Sequence, residues 1–509
     1  MDIQKLMKKT AREKFGITAI KPYQNLVIQT ILEHAASPRI DSRKQPANTG
    51  QLVVFPTGYG KSLCFLLPSV MLNGISVIIY PLLALMNDQA SHLSKNGIAA
   101  EIIRGGQTSI QRREIWNRLK SRKTKILITT PESLCTEQVI SELRQLPIAL
   151  LTVDEAHVVC EWGRTFRPAY LKLLSAIRTI NPRQVLAFTA TASRLVITRL
   201  KQCLFGGLKP HIIIADPDRT NIHYSVVRTL SRRQTLLEIV CRCNRPVLIF
   251  AGTRIATEEV FLFLKHKHPK YNMRFYHAGL RPEERTMVEN WFKDTEDGIM
   301  VSTCAYGLGM DKAGIRTVIH YAIPSSIEEF LQESGRAGRD GKQSRSIILT
   351  TPADAKEAEK SPSLRKRALL SAIISTNRNQ CLRTELLALM DHHVEHCSGC
   401  CTCDGTFEEN PHGMIPILSA VMHHQCRFGT NSLAVALSNA YPCPMPLNTM
   451  PGWTFENIQE AIKALLDMGM LKKIRIGLRR RVLICPDLIP LKSTCKNSIL
   501  NPCRKKRKT

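Results

Sequence analysis

Short apolar runs recur along the first two-thirds of the chain, separated by longer stretches with apolar residues at helical spacing. QLVVF (51–55), SVIIY (76–80), KILIT (125–129), ALLTV (149–153) and QVLAF (184–188) form one series. PVLIF (246–250), MRFYH (273–277), GIMVST (298–303), TVIHY (317–321) and SIILT (346–350) form a second. β-rich runs alternating with helices indicate largely parallel strands covered by helices. The predicted fold class is therefore α/β, with two tandem lobes over residues 1–205 and 206–352.

The remaining segments read differently. Residues 1–34 are expected to be helical, with Leu26, Val27, Thr30 and Ile31 on helix spacing, and 36–50 to form an exposed polar loop. A charged linker (353–366) opens a helical, cysteine-bearing module that ends at 410. Residues 411–500 read as a small domain in which Phe455, Ile458, Ile462 and Leu465 share one helix face. Two short strands with an Arg-rich turn follow (474–484). Residues 501–509 form a basic tail whose KKRK suits a nuclear address or DNA-contacting charge.

Composition narrows the class. The chain has 509 residues, room for three or four domains, and a hydrophobic fraction of 44% that argues against disorder. Lys and Arg number 71 against 42 Asp and Glu, a formal net charge of +29. Such an excess favours a polyanionic partner, because binding a phosphate backbone releases condensed counterions. The start MDIQKLMKKTAREKF lacks the apolar core of a signal peptide, and no run of 18 apolar residues occurs, so an intracellular protein is expected. The 17 cysteines then read as thiols or metal ligands rather than disulfides. Five of them, Cys381, Cys397, Cys400, Cys401 and Cys403, crowd into one short segment.

The candidate chemistry begins at FPTGYGKS (55–62). It follows a β run and opens a helical one, the context of a phosphate loop. Gly58 and Gly60 permit a tight turn whose N–H groups face the phosphates, and Thr57 in the same loop is a further nucleotide-binding candidate. Lys61 is suited to meet the β- and γ-phosphates and Ser62 to ligate Mg²⁺. Phe55 stands where the general pattern has Gly, so the loop alone is a partial match. Asp154-Glu155-Ala156-His157 at the end of an apolar run supplies the complement: Asp154 for magnesium, Glu155 as the base that takes a proton from attacking water. In the second lobe, QESGRAGRD (332–340) puts Arg336 and Arg339 three residues apart with small residues between them. Arginines brought from a second body stabilise charge on a transferring phosphoryl group and make hydrolysis depend on closure.

Taken in order, KPYQ (21–24), FPTGYGKS (55–62), YPLLALMNDQ (80–89), TTPESL (129–134), VDEAH (153–157), EWGRTFRPAY (161–170), FTATA (188–192), IFAGTR (249–254), STCAYGLGMDK (302–312) and QESGRAGRD (332–340) resemble the motifs of RecQ family DNA helicases. The resemblance runs across residues 10–485. It implies two RecA-like motor lobes, adenine recognition by Gln24, an arginine finger at Arg339 with Arg336 beside it, and a nucleotide-reporting pair in His157 and Gln332. Thr189 and Thr191 fall in the segment that links the motions of the lobes. Trp162, Phe166 and Arg167 match the family's aromatic-rich loop, which couples strand binding to hydrolysis; base stacking on aromatic faces is sequence-tolerant. A core role for Trp162 or Phe166 is the competing reading. Glu161, Arg164 and Thr165 replace the family's usual Gln, His and Asp. Lys21 replaces an arginine, losing guanidinium stacking and bidentate contacts.

Cys381, Cys397, Cys400 and Cys403 offer four soft ligands suited to tetrahedral zinc, and their spacing resembles the family's zinc module. Cys401, His392, His393 and His396 are further candidates, and an iron–sulfur cluster is an alternative occupant. The helix and basic strand pair of 411–500 resemble the family's winged-helix domain, although no aromatic hairpin tip is evident between 411 and 500. The implied function is an ATP-dependent DNA helicase moving 3′ to 5′ on single-stranded, forked or duplex DNA in recombination or repair, with ATP, Mg²⁺ and Zn²⁺ as cofactors. An RNA helicase, a non-unwinding duplex translocase and a zinc-dependent DNA-binding protein with a degenerate motor are the alternatives.

Overall fold

The computed structural model describes residues 3–36, 49–56, 58–159, 169–206, 209–304, 312–438, 446–447, 449–476 and 480–486. The first sheet has seven strands: β1 Thr49–Val54, β2 Ile75–Ile79, β3 Ala100–Ile103, β4 Ile126–Thr129, β5 Ile148–Val153, β6 Gln184–Thr189 and β7 His211–Ile214. Their order is β3-β4-β2-β5-β6-β1-β7 and every pairing is parallel. Because side chains alternate across a strand, neighbours part company. Leu52, Val77, Leu151 and Val185 enter one core, while Val53, Ile78, Leu150 and Leu186 enter another on the opposite face. Full burial of each such side chain contributes about 1.5–3 kcal/mol.

The second sheet holds β8 Ile222–Arg228, β9 Val247–Phe250, β10 Met273–Tyr276, β11 Ile299–Ser302, β12 Thr317–His320 and β13 Ser344–Thr350, in the order β10-β11-β9-β12-β13-β8, again all parallel. All ten expected strands are present, and β3, β7 and β8 are additions. The strand His211–Ile214 pairs with β1, so the first sheet reaches beyond the expected boundary at 205.

Residues 1–34 are helical as expected, in two helices, Ile3–Phe15 and Pro22–Ala36. One other expectation is corrected. The charged segment 353–366 is no linker: the helix Pro352–Lys360 starts within it, and the helix Leu364–Ile374 follows. The Asp354 carboxylate reaches back to accept from Thr351 N at 2.6 Å and Thr351 Oγ1 at 2.9 Å, and Pro352 takes the first helical position, where its missing N–H costs nothing. Asp354 is also held by Arg232 at 2.6 Å.

Beyond the second sheet, the helix Leu382–Ala388 and the 397–407 loop dock on the free edge of β8. Tyr224 N donates to Gly399 O at 3.4 Å, and Cys401 N donates to Tyr224 O at 3.0 Å. Arg383 is fully buried, paired with Asp218 and lying 4.7 Å over the Tyr224 ring. Three further helices, Met414–His423, Thr430–Ser438 and Phe455–Asp467, share a core with the antiparallel pair β14 Lys472–Ile476 and β15 Arg480–Ile484. Ile458, Ile462 and Leu465 point into that core as their spacing predicts, with Phe455 packed at its margin. Among the described residues no helix is long and apolar enough to cross a membrane.

Candidate active site

In a parallel sheet all strands end on the same edge, where ligands of such folds bind. β1 runs out into Phe55 and Pro56; Gly58 and Gly60 then take left-handed backbone angles, φ +88° and +74°. Lys61 and Ser62 are the first residues of the helix Lys61–Met71, whose N-terminal N–H groups and dipole favour an anion. Gln24, nearly buried, braces this turn: its Nε2 donates to Tyr59 O at 3.0 Å and to Gly60 O at 3.1 Å, and its Oε1 accepts from Lys21 N at 3.0 Å. A Cβ on residue 60 would stand 2.6 Å from that Nε2, a second reason for glycine there. Thr57 lies outside the described residues.

β5 ends two strands away from β1 and delivers the carboxylates. Asp154 N donates to Ile79 O at 3.0 Å and Ala156 N to Phe188 O at 2.8 Å. Between these anchors Glu155 adopts φ +48°, a left-handed conformation that costs on the order of 1–2 kcal/mol for a residue with a Cβ. Its Oε1 lies 3.3 Å from Lys61 Nζ. Oε2 is 3.5 Å from His157 Nδ1, yet has no hydrogen-bond partner among the described residues. Burial opposes charge on Glu155, but Lys61, His157 and Arg336 together hold its pKa below the ordinary value. Asp154 shows the reverse. Burial and then the Glu155 charge push its pKa up to about 7, against the pull of Lys61. A buried carboxylate short of countercharge beside a lysine already engaged is a donor set that suits a divalent cation.

The second sheet closes the site from the other side. Arg336 is buried and near enough for its charge to act on Glu155. Arg339 reaches the phosphate loop, where a Cβ at Gly58 would meet its Cγ at 3.8 Å. The loop bearing both arginines is clamped by a residue that no motif singled out: Arg219, which donates to Gly335 O at 3.3 Å, Ala337 O at 3.3 Å and Gly338 O at 2.9 Å. Asn221 adds a bond to Gly338 O at 2.8 Å.

His157 is buried, with Nδ1 3.0 Å from Thr189 Oγ1, and Thr189 donates to Thr191 O at 2.9 Å. The chain of contacts continues across the lobes. Thr191 Oγ1 lies 3.5 Å from Glu328 O, Ser193 Oγ donates to Glu328 Oε1 at 2.7 Å, and Arg365 Nη2 is 2.9 Å from Glu328 Oε2. Sequence reasoning missed Ser193, Glu328 and Arg365, which carry no local pattern. Gln332 sits on the same helix as Glu328, Ile327–Ser334, but its Nε2 is buried without a partner among the described residues. No bond joins it to His157. Trp162, Phe166 and Arg167 lie outside the described residues.

The sulfur atoms of Cys381, Cys397, Cys400 and Cys403 all lie within 4.8 Å of one another. Cys401 turns away: its Sγ accepts from Val226 N at 3.5 Å, on β8. Burial resists ionisation of Cys397, Cys400, Cys401 and Cys403, and it raises Cys403 to about 11. At Cys400 the Thr402 hydroxyl and backbone N–H groups overcome it and lower the pKa to about 6. One stabilised thiolate among crowded thiols is a donor set that zinc fits, since a divalent cation removes the repulsion that opposes further deprotonation.

Two parallel-sheet lobes in tandem, with a phosphate loop on one and an arginine loop from the other set against it, define the class as a two-lobed RecA-like motor. The DEAD/DEAH box helicase profile matches residues 21–200, and the helicase conserved C-terminal domain matches 231–341. The chain is 33% identical over 353 residues to the probable ATP-dependent DNA helicase RecS of Bacillus subtilis, covering 68% of this chain and 67% of that one. It is 29% identical over 450 residues to the ATP-dependent DNA helicase RecQ of Pasteurella multocida, covering 83% and 70%. The mouse bifunctional 3'-5' exonuclease/ATP-dependent helicase WRN is 37% identical over 356 residues, 67% of this chain and 24% of that one. Among solved structures, the DUF1998 helicase MrfA bound to DNA shares the fold at a TM-score of 0.55 and 17% identity, over 94% of this chain and 62% of that one. Mss116p bound to ssRNA and AMP-PNP gives a TM-score of 0.55 at 17% identity, over 92% and 94%. The chain belongs to the RecQ family of ATP-dependent helicases.

Proposed function

We propose that this chain is an ATP-dependent DNA helicase that couples hydrolysis to 3′ to 5′ translocation on single-stranded DNA and to duplex unwinding. One observation carries the reading: Arg339 of the second lobe reaches the phosphate loop of the first, and Arg336 lies near enough for its charge to act on Glu155. Lys61 and the loop N–H groups hold the phosphates, Ser62 and Asp154 hold Mg²⁺, Glu155 accepts the proton of attacking water, and the arginines stabilise charge only when the lobes close. Bound Mg²⁺ supplies charge neutralisation at the phosphates. Gln24 stiffens the phosphate loop through its bonds to Tyr59 O and Gly60 O, which leaves one lone pair of Oε1 as its acceptor for adenine, while His157 and Gln332 sense the nucleotide.

Strand displacement on matched DNA and RNA duplexes with opposite overhangs tests the reading. ATP-dependent unwinding of DNA with a 3′ overhang is expected. Unwinding of RNA alone, or ATPase with no displacement on any DNA, would replace it with the RNA helicase or the translocase. The segment 411–500 acts as a winged-helix-like contact to duplex phosphates, supported by the exposed Lys472, Lys473 and Arg475 of its strand pair.

Cys381, Cys397, Cys400 and Cys403 hold one structural zinc that braces the 397–407 loop against β8. Elemental analysis should give about one zinc per chain, because binding a structural ion is coupled to local folding. Cys400→Ser should lose the metal and lower Tm. Cys401→Ala should keep it, since that thiol bonds Val226 instead. A soluble, active, zinc-free protein would exclude the site.

Trp162, five residues beyond His157, passes DNA occupancy to the nucleotide site with Phe166 and Arg167. Trp162→Ala should remove about 1–3 kcal/mol of base stacking and abolish stimulation by single-stranded DNA. Basal ATPase and most DNA affinity should remain, because phosphate contacts are spread over the chain. Stimulation equal to the parent's in a folded variant rejects the coupling role.

A further inference from the structure

A buried phenol stands beside the nucleotide carboxylates with no hydrogen-bond partner among the described residues. Tyr80 follows β2 directly, and Asp154 follows β5. Those strands are neighbours with Ile79 opposite Val153, and Asp154 N donates to Ile79 O at 3.0 Å. Ile79 and Val153 enter one core of the lobe, so the residues after them leave on the other face. There Tyr80 belongs to the core that also holds Phe55, Phe65 and Met86. Its side chain is fully buried, and its hydroxyl has no hydrogen-bond partner among the described residues. Buried hydroxyls in folded proteins are nearly always bonded, and phenylalanine would fill the same space without the penalty. Ser76 and Thr152 also keep unpartnered hydroxyls, but deeper within the same two strands. Tyr80 stands at the ligand-binding edge. A phenol hydroxyl can donate there, having one proton to give.

We propose that Tyr80 is a positioning residue of the nucleotide site, its hydroxyl donating toward the Asp154 carboxylate and the water ordered there once a divalent cation and nucleotide are bound. The inference rests on the reading of this edge as an ATP site. It predicts opposite signs for stability and function. In the full chain, Tyr80→Phe should melt at the parent's temperature or above it in the absence of nucleotide. The Mg²⁺ concentration that half-saturates binding of a non-hydrolysable ATP analogue, followed by calorimetry, should rise about tenfold, the equivalent of one hydrogen bond to a charged group, and kcat should fall with it. An unchanged Mg²⁺ requirement overturns the proposal, as does a lowered Tm with unchanged Mg²⁺ dependence, which makes the hydroxyl structural. A parent protein that fails to bind the Mg²⁺–analogue complex refutes the ATP-site reading itself, an outcome separate from parental behaviour in the variant.

Discussion

Glu155→Gln should lower DNA-stimulated ATP hydrolysis by about 10²–10⁴-fold, the range that a positioned general base contributes, while ATP and DNA remain bound. The amide keeps the shape of the carboxylate but is a poor proton acceptor. Glu155 is set for that task by geometry. Its left-handed backbone is pinned on both sides by inter-strand hydrogen bonds, one oxygen faces Lys61, and the other has no hydrogen-bond partner among the described residues. Lys61, His157 and Arg336 hold the group ionised against its burial. Removing its charge also relieves Asp154, whose pKa the Glu155 charge helps to raise. Metal and nucleotide binding therefore survive. Single-turnover hydrolysis beside a direct nucleotide-binding measurement separates the effects, and turnover within a few-fold of the parent removes Glu155 from the role of base.

Arg339→Ala should lower kcat by about 10³-fold or more, the effect of losing an arginine finger, with little change in KM for ATP. An interaction made only in the transition state appears in kcat rather than in ground-state binding. Arg339→Lys should restore little, because an ammonium cannot reproduce the planar, bidentate contacts of guanidinium. Arg339 is the cleaner target of the two arginines. It is half-buried against Gly58 of the other lobe, whereas Arg336 is buried and its truncation would also disturb packing. Steady-state ATPase at saturating DNA, with circular dichroism melting as a control for folding, checks the expectation. A folded Arg339→Ala protein that keeps more than about a tenth of parental kcat refutes the finger.

The motifs were legible because phosphate chemistry demands contiguous residues. A glycine turn, a lysine and a helix start must follow one strand, and two carboxylates must end another, so FPTGYGKS and DEAH announce themselves in one dimension. The long interior strands were legible too, since burial on both faces leaves near-continuous apolar runs at β5 and β6. Edge strands were harder. β3 and β7 are four residues each and largely half-buried or exposed, so packing leaves little imprint on their residues. The helix Pro352–Lys360 was hidden by its charge, although Thr351, Pro352 and Asp354 carry a helix-start signal.

What the tertiary structure alone decided is how distant segments meet. Four of five clustered cysteines face one another while Cys401 bonds Val226, a choice made by docking on β8 and not by spacing. Arg219 clamps a loop more than a hundred residues away, and Glu328 joins Ser193 of the first lobe to Arg365 beyond the second. Such contacts arise where separately folded sheets pack together. Each side chain is locally an ordinary surface charge or hydroxyl, and its partner is set by the placement of whole domains rather than by the residues around it.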